Sequence, residues 1–219
     1  SAASDVYKRQ NQPPGDLVTE QFRSLADIMD RFNQGRATVT YNQNVCLQHV
    51  AERDLIALHE ALEAAHMASP NIDSLNDSIC CPGHDFCNLA NAHSIPIAKR
   101  ISERFTDTDE LNDIGKLHLN ISGCINACGH HHTGHIGILG IDKRGEDYYQ
   151  VMVGGHAGTD ESLPASIGTI LGPAVPPDKV VGVVEELLRI YRTERASDES
   201  FIETVNRVGV EPFREAVNV

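Results

Sequence analysis

The sequence predicts an α+β protein built as two units. Three features predict it. Residues 19–67 read in the order helix, strand, strand, helix; residues 68–77 are rich in Ser, Pro, Asn and Asp; and the remainder interleaves strand-like alternation with helical periodicity.

In the first unit, Thr19 is an N-cap residue type. Phe22, Leu25, Met29 and Phe32 follow it at helical spacing, and Asn33-Gln-Gly35 supplies the stop. Arg36–Tyr41 and Asn44–Val50 are β-branched and roughly alternating, as strands require. Arg53–Met67 places Leu55, Leu58, Leu62 and Ala65 on one helical face. In the second unit, residues 88–104 read as a helix disturbed at Pro96. Leu117–Ile121 is a strand. His135–Ile141 and Tyr148–Val153 form a pair joined through Lys143-Arg-Gly145, a hairpin signal. Val180, Val184, Leu187, Leu188 and Tyr191 mark an amphipathic helix over residues 178–192, and residues 200–208 read as another helix.

Composition narrows the function. The chain has 219 residues, 41% apolar, with a net charge of −13 and no basic cluster, which argues against nucleic-acid binding. No apolar run approaches a membrane span and no secretory signal opens the chain. Six cysteines in a chain of this length favour metal or cofactor chemistry in a reducing compartment over a disulfide framework, so the expected location is cytoplasmic.

The cysteines carry the strongest signal. Cys81 and Cys87 lie in C-C-P-G-H-D-F-C, and Cys124 and Cys128 lie in G-C-I-N-A-C-G. A cubane iron–sulfur cluster takes one thiolate per iron, and two pairs on two loops supply four. Gly83, Gly123 and Gly129 beside them let backbone amides come close to cluster sulfides. A structural zinc site or a set of buried free thiols is the competing reading, although zinc pairs are usually separated by two to four residues and C-x5-C fits them poorly.

The stretch C-P-G-H-D-F-C-N-L-A-N-A-H-S-I-P-I-A, followed by H-L-N-I-S-G-C-I-N-A-C-G-H-H-H-T-G-H-I-G-I-L-G, resembles the C-terminal half of the sirohaem-dependent nitrite and sulfite reductases, the assimilatory sulfite reductase haemoprotein above all. The resemblance spans residues 15–215. It implies a ferredoxin-like half-domain over residues 13–68, a linker over 69–77, and a mixed α/β domain binding sirohaem and a [4Fe-4S] cluster over 78–219. It further implies that Cys81, Cys87, Cys124 and Cys128 ligate the cluster, with Cys128 bridging to the sirohaem iron. The activity implied is six-electron reduction of sulfite to sulfide in sulfur assimilation, with nitrite to ammonia as the alternative. Such reactions need cofactors because no side chain stores six electrons. The partners implied are an N-terminal half of the same polypeptide, which would supply most of the sirohaem pocket, and an electron donor, either ferredoxin or an NADPH-fed flavoprotein subunit. On this reading the chain is a fragment, inactive by itself, and residues 1–12 are a non-native or artefactual leader. An iron–sulfur electron carrier without sirohaem and a zinc-stabilised interaction module are the other functional classes that the same cysteines permit.

Other residues are weighed against plainer roles. Asn126, inside the C-x3-C loop, is a candidate cofactor contact or a loop asparagine tolerating left-handed geometry. His130, His131, His132 and His135 follow Cys128 closely, but successive residues cannot face one point, so support of the cofactors or packing is expected over metal ligation. Cys80 reads as a bystander and Cys46 as a small core residue.

Overall fold

The computed structural model describes residues 2–7, 17–158 and 163–218. The chain divides into two compact units between Ile72 and Asp73.

The first unit is a three-stranded sheet with two helices. Helix α1 spans Thr19–Phe32, strands β2 and β3 span Ala37–Val39 and Val45–Ala51, and helix α2 spans Leu55–Ala64 after a single 3-10 turn. Thr19 is the first helical residue and Val18 the cap; the Gln21 side chain reaches back to accept from the Val18 amide at 3.2 Å. The helix stops as expected, with Gln34 and Gly35 both at positive φ. Its apolar face is rotated from the one expected. Leu25 and Ile28 are buried while Phe22 is 58% exposed, because the core contact runs through Leu25 and Ile28 to Leu47, Val50, Leu58, Leu62 and Met67. Of the leader expected over residues 1–12, residues 1 and 8–12 lie outside the described residues. Ala2–Tyr7 form strand β1, antiparallel to β3, giving the order β1-β3-β2.

The second unit is built on a five-stranded mixed sheet in the order β4-β5-β6-β7-β8. The strands are Ile79–Cys80 (β4), Leu119–Ser122 (β5), Ile136–Lys143 (β6), Glu146–Val153 (β7) and Thr169–Ile170 (β8). Strands β4, β5 and β6 run parallel, and β6, β7 and β8 antiparallel. All four residues of β5 are buried, as a central parallel strand covered on both faces demands. The β6–β7 hairpin closes on Arg144 and Gly145, both at positive φ, which matches the twist of the flanking strands.

Helix α3 begins only at Ile95 and runs to Arg104. Residues 88–94, expected as helix, form turns instead. Pro96 sits in the helix's first turn, where a missing N–H is tolerated, so it opens the helix and does not disturb it. Helix α4 (Thr108–Ile114) starts at Asp107, whose carboxylate accepts from the Asp109 and Glu110 amides. Helices α5 (Val180–Glu194) and α6 (Phe201–Val208) follow, α6 opened by a Ser200–Glu203 capping box. Leu75, in the stretch expected as linker, is fully buried in this unit's core with Ile121, Ile138, Val184, Leu187 and Phe213. The Tyr191 hydroxyl donates to the carbonyls of Ile114 and Glu199, joining α5 to the end of α4 and the approach to α6.

Leu187→Ala, at a position with 0% exposure, is expected to cost about 2–5 kcal/mol through the cavity it leaves. Phe22→Ala, on the rotated face of α1, should change stability by only about 0.5 kcal/mol. Urea unfolding of the two variants beside the unsubstituted chain checks both; equal losses would return Phe22 to the core.

Candidate metal centre

The two cysteine loops meet because β4 and β5 are neighbouring parallel strands. Each loop leaves the carboxyl end of its strand, so both emerge at the same end of the sheet, where α/β sheets bind their ligands. Cys81 follows β4 directly, and its amide extends the ladder by donating to the Ile121 carbonyl at 3.1 Å. Gly123 and Cys124 follow β5.

The loops are then locked together through their backbones. The Gly123 amide donates to Cys81 Sγ at 3.0 Å. The Gly123 carbonyl accepts from the amides of Asn91 and Ala92 at 2.8 and 3.0 Å. A Cβ on Gly123 would lie 2.6 Å from the Ala92 carbonyl oxygen and 2.9 Å from Gly83 Cα, so only glycine permits this approach. The amide freed by this glycine donates to a cysteine sulfur, a different acceptor from the cluster sulfides expected for it.

Ser94 adds a second polar contact. It stands at the N-cap position of α3, yet its side chain makes no cap. Fully buried, its hydroxyl lies 3.4 Å from Cys81 Sγ. Sequence reading passed over Ser94 because it fell inside the helix expected over residues 88–104, which in fact begins at Ile95.

The four thiols differ in exposure. Cys81 and Cys124 are buried, Cys87 is half-buried and Cys128 is exposed. Beside them Phe86, Leu89 and Ile125 are 78%, 72% and 78% exposed, large apolar side chains of the kind that mark a binding surface when they gather. Within the C-x3-C loop, Ala127 and His130 adopt left-handed φ of 55° and 53°, and Asn126 is exposed. Cys80 is buried, with its thiol turned to the Cys81 carbonyl. Cys46 is half-buried in β3 of the other unit.

The histidines after Cys128 separate by role. His130 is exposed, and its carbonyl accepts from Asn120 and Thr133. His131 has 0% exposure, and its ring nitrogens have no hydrogen-bond partner among the described residues. Burial, then the neighbouring His132, pushes its pKa down to about 4. His135 stacks between His118 and His156, at 4.7 and 5.6 Å between ring centres. Burial, then His118 and His156, lowers it to about 3. Both imidazoles are therefore neutral at physiological pH.

Two further histidines, unremarked in the sequence, converge across the fold. His84, between the first two cysteines, and His93, before Ser94, meet Asp147 of β7, with a ligand atom of each within 4.8 Å of the others. No sequence signal joins Asp147 to residues more than fifty positions upstream; the sheet does.

The cysteine arrangement suits an iron–sulfur group. Four soft donors stand on two interlocked loops; an amide donates to one sulfur and a hydroxyl lies 3.4 Å from it, contacts that would stabilise a thiolate there. Comparison with known proteins agrees. A family profile described as "Nitrite and sulphite reductase 4Fe-4S domain" matches residues 72–219. The chain belongs to this family. A second profile, "Nitrite/Sulfite reductase ferredoxin-like half domain", matches residues 7–65. The chain is 29% identical over 209 residues to an assimilatory ferredoxin-dependent nitrite reductase of Haloferax mediterranei, covering 92% of this chain and 34% of that protein. To the sulfite reductase [NADPH] subunit beta of Saccharomyces cerevisiae it is 23% identical, covering 86% of this chain and 13% of that protein. The chain thus spans about a third or less of these relatives. The fold is shared with the solved NirA protein of Mycobacterium tuberculosis, at a TM-score of 0.79 and 23% identity over 96% of this chain and 39% of that one. It is shared also with dissimilatory sulfite reductase I, at a TM-score of 0.82 and 14% identity over 100% of this chain and 69% of that one.

Gly123→Ala is expected to separate the cysteine loops, since the clash is with backbone that cannot rotate away. Iron retained after reconstitution should fall severalfold while helix content by circular dichroism holds; unchanged iron would show that the loops need not touch. The neutral histidines set a pH dependence. Their folded pKa values lie below the ordinary 6.5, so the unfolded chain binds more protons and stability falls as pH drops from 6.5 toward 4. The loss approaches roughly 1.4 kcal/mol per histidine for each unit. Unfolding midpoints at pH 7 and pH 5 check this, and His131→Leu should flatten the slope.

Proposed function

We propose that Cys81, Cys87, Cys124 and Cys128 hold a [4Fe-4S] cluster, that Cys128 also reaches the iron of a sirohaem, and that the chain is the cofactor-holding portion of a six-electron oxyanion reductase. The observation that carries this reading is the backbone interlock of the two cysteine loops at Gly123, which leaves Cys81 and Cys124 enclosed and Cys128 facing outward.

When bound, the cofactors supply one-electron carriage and a metal on which the oxyanion can be reduced. The residues of this chain do the rest. Buried Cys81 and Cys124 keep two donors from solvent. Gly123 N–H and the Ser94 hydroxyl donate toward Cys81 and lower the electron density on its sulfur, which raises the potential of a metal bound there. Phe86, Leu89 and Ile125 supply apolar surface for a macrocycle or for the remainder of a longer polypeptide. Asn126, exposed in the loop that carries Cys128, would contact the cofactors, at a macrocycle carboxylate or a cluster sulfide.

Sulfite was the substrate expected from the motif. The nitrite reductase of Haloferax mediterranei shares more of this chain at higher identity than the yeast sulfite reductase subunit does, and this favours nitrite. The donor on the same grounds is ferredoxin. The absence of any helix long and apolar enough to cross a membrane, among the described residues, is compatible with the cytoplasmic location expected from the cysteines.

Serine at any of the four cysteines should reduce bound iron and acid-labile sulfide by more than half after anaerobic reconstitution, while Cys46→Ser and Cys80→Ser should leave both unchanged. Zinc in place of iron and sulfide would return the site to a structural role. Ser94→Ala should make the cluster's reduction potential more negative, read by an EPR-monitored redox titration. In the complete polypeptide, extracted sirohaem and turnover of nitrite against sulfite with reduced ferredoxin would decide the substrate.

A further inference from the structure

Asp147 lies in β7, far in sequence from the cysteine loops, yet it is held tightly against them. Its Oδ2 accepts from the His93 amide at 2.9 Å, from His93 Nδ1 at 2.7 Å and from the Tyr149 hydroxyl at 3.3 Å. Tyr149 is itself almost fully buried and gives its hydroxyl also to the His93 carbonyl at 2.6 Å. The one Tyr149 proton is shared between these two acceptors, so the His93 amide and ring N–H are the main donors to Oδ2, and Oδ1 is the oxygen that lies 3.9 Å from His84 Nδ1.

His84 Nε2 lies 2.5 Å from the Ala90 carbonyl. A carbonyl only accepts, so Nε2 carries a proton, and in the neutral ring Nδ1 presents a lone pair. Nδ1 lies 3.9 Å from Asp147 Oδ1. In the neutral ring two acceptors then face one another, and a cation between them, a proton or a metal ion, removes the repulsion. A carbonyl fixing the outer nitrogen of an imidazole is also the usual support of a metal-binding histidine. In a tetrahedral site with bonds of about 2.0–2.1 Å, ligand atoms lie about 3.3–3.5 Å apart, so the His84–Asp147 spacing of 3.9 Å must tighten, and so must any spacing near the 4.8 Å limit of the group. His93 completes the set. Its Nδ1 can bind metal by giving up the proton it shares with Oδ2, which keeps the His93 amide and the Tyr149 hydroxyl as donors. Burial alone would raise the carboxyl of Asp147, but the donors from His93 outweigh it and hold the pKa below the ordinary carboxylate value.

From this geometry we propose that His84, His93 and Asp147 form a second metal site, distinct from the four cysteines, for a borderline divalent ion such as Zn2+. Two nitrogens and one carboxylate oxygen suit such an ion over Mg2+ or Ca2+, which prefer oxygen alone. The exposure of both histidines leaves a fourth position for water. Bound there, the ion would clip the loop between Cys81 and Cys87, and the segment leading to Ser94, onto the β6–β7 hairpin. The site requires no cluster and stands whether or not the cysteines bind one.

The test is Zn2+ itself, added to the full chain and to a His84→Ala/His93→Gln double variant, followed by desalting and metal analysis. Zinc held by thiols is common to both and cancels in the difference. The expected result is one more equivalent of Zn2+ in the unsubstituted chain, with the ring nitrogen resonances of His84 and His93 shifting on addition in 15N NMR. Both substitutions are at exposed positions, and circular dichroism confirms the variant's fold. Equal zinc in the two proteins would overturn the proposal, as would an extra equivalent that moves other histidines and leaves these two unshifted.

Discussion

The constraint on which the second unit depends is the parallel adjacency of β4 and β5. A hairpin would return the chain to the opposite end of the sheet and separate the two cysteine loops. Parallel strands need a crossover, and here it runs from Cys81 to His118 through α3 and α4. The crossover brings its own turn, residues 87–94, back against Gly123. The contact is tight enough that one methyl group at Gly123 would break it, and the rest of the site follows. Cys81 is enclosed because Gly123 and Ser94 close over it, and Cys128 is open because its loop leaves the sheet beyond that contact.

Legibility in the sequence divides along the same line. The spacing of the four cysteines was readable because it is local. So were the hairpin at Lys143–Gly145, where two consecutive positive φ values demand the residues found there, and the α5 face, all of whose expected residues are buried. The rest depended on contacts between distant segments. Ser94 reads as one more residue of a helix over 88–104 until the structure starts that helix at Ile95 and sets the hydroxyl beside Cys81. Residues 88–94 have helical composition but are held as turns, because the Asn91 and Ala92 amides are taken by Gly123 from another loop. Phe22 fits the helical period as well as Ile28 does, and only the position of β3 selects between them. The strand at Ala2–Tyr7 exists through pairing with β3, a partner some forty residues away.

The histidines show one residue type serving three physical ends within a short distance. His131 and His135 are neutral, buried and part of the packing, and they link stability to pH. His130 acts through its backbone, at a left-handed position that lets the chain turn after Cys128. His84 and His93 are exposed and oriented by carbonyl and carboxylate. Proximity to cysteine in sequence therefore says little about chemical role here. The dense run at 130–132 attracts attention as a metal motif, whereas the pair whose nitrogens converge with a carboxylate is dispersed through a stretch where the cysteines draw the eye.

The uneven exposure of the thiols has a consequence for assembly. Oxidation and exchange select thiols that solvent can reach, so Cys128 is the vulnerable member of the four and Cys81 and Cys124 are sheltered by packing. Three groups hold the sheltered part in place: Gly123 by its backbone, Ser94 by its hydroxyl, and the His84–His93–Asp147 cluster by tying the first loop to the hairpin. The loop that carries Cys128 is secured through the Gly129 amide to the Ser122 hydroxyl at 3.1 Å. The first cysteine pair is thus braced against the sheet from several sides, while the outermost sulfur rests on a short loop with two left-handed residues. On the proposed reading, in which Cys128 also meets a second cofactor, that exposed thiol is the most accessible of the four.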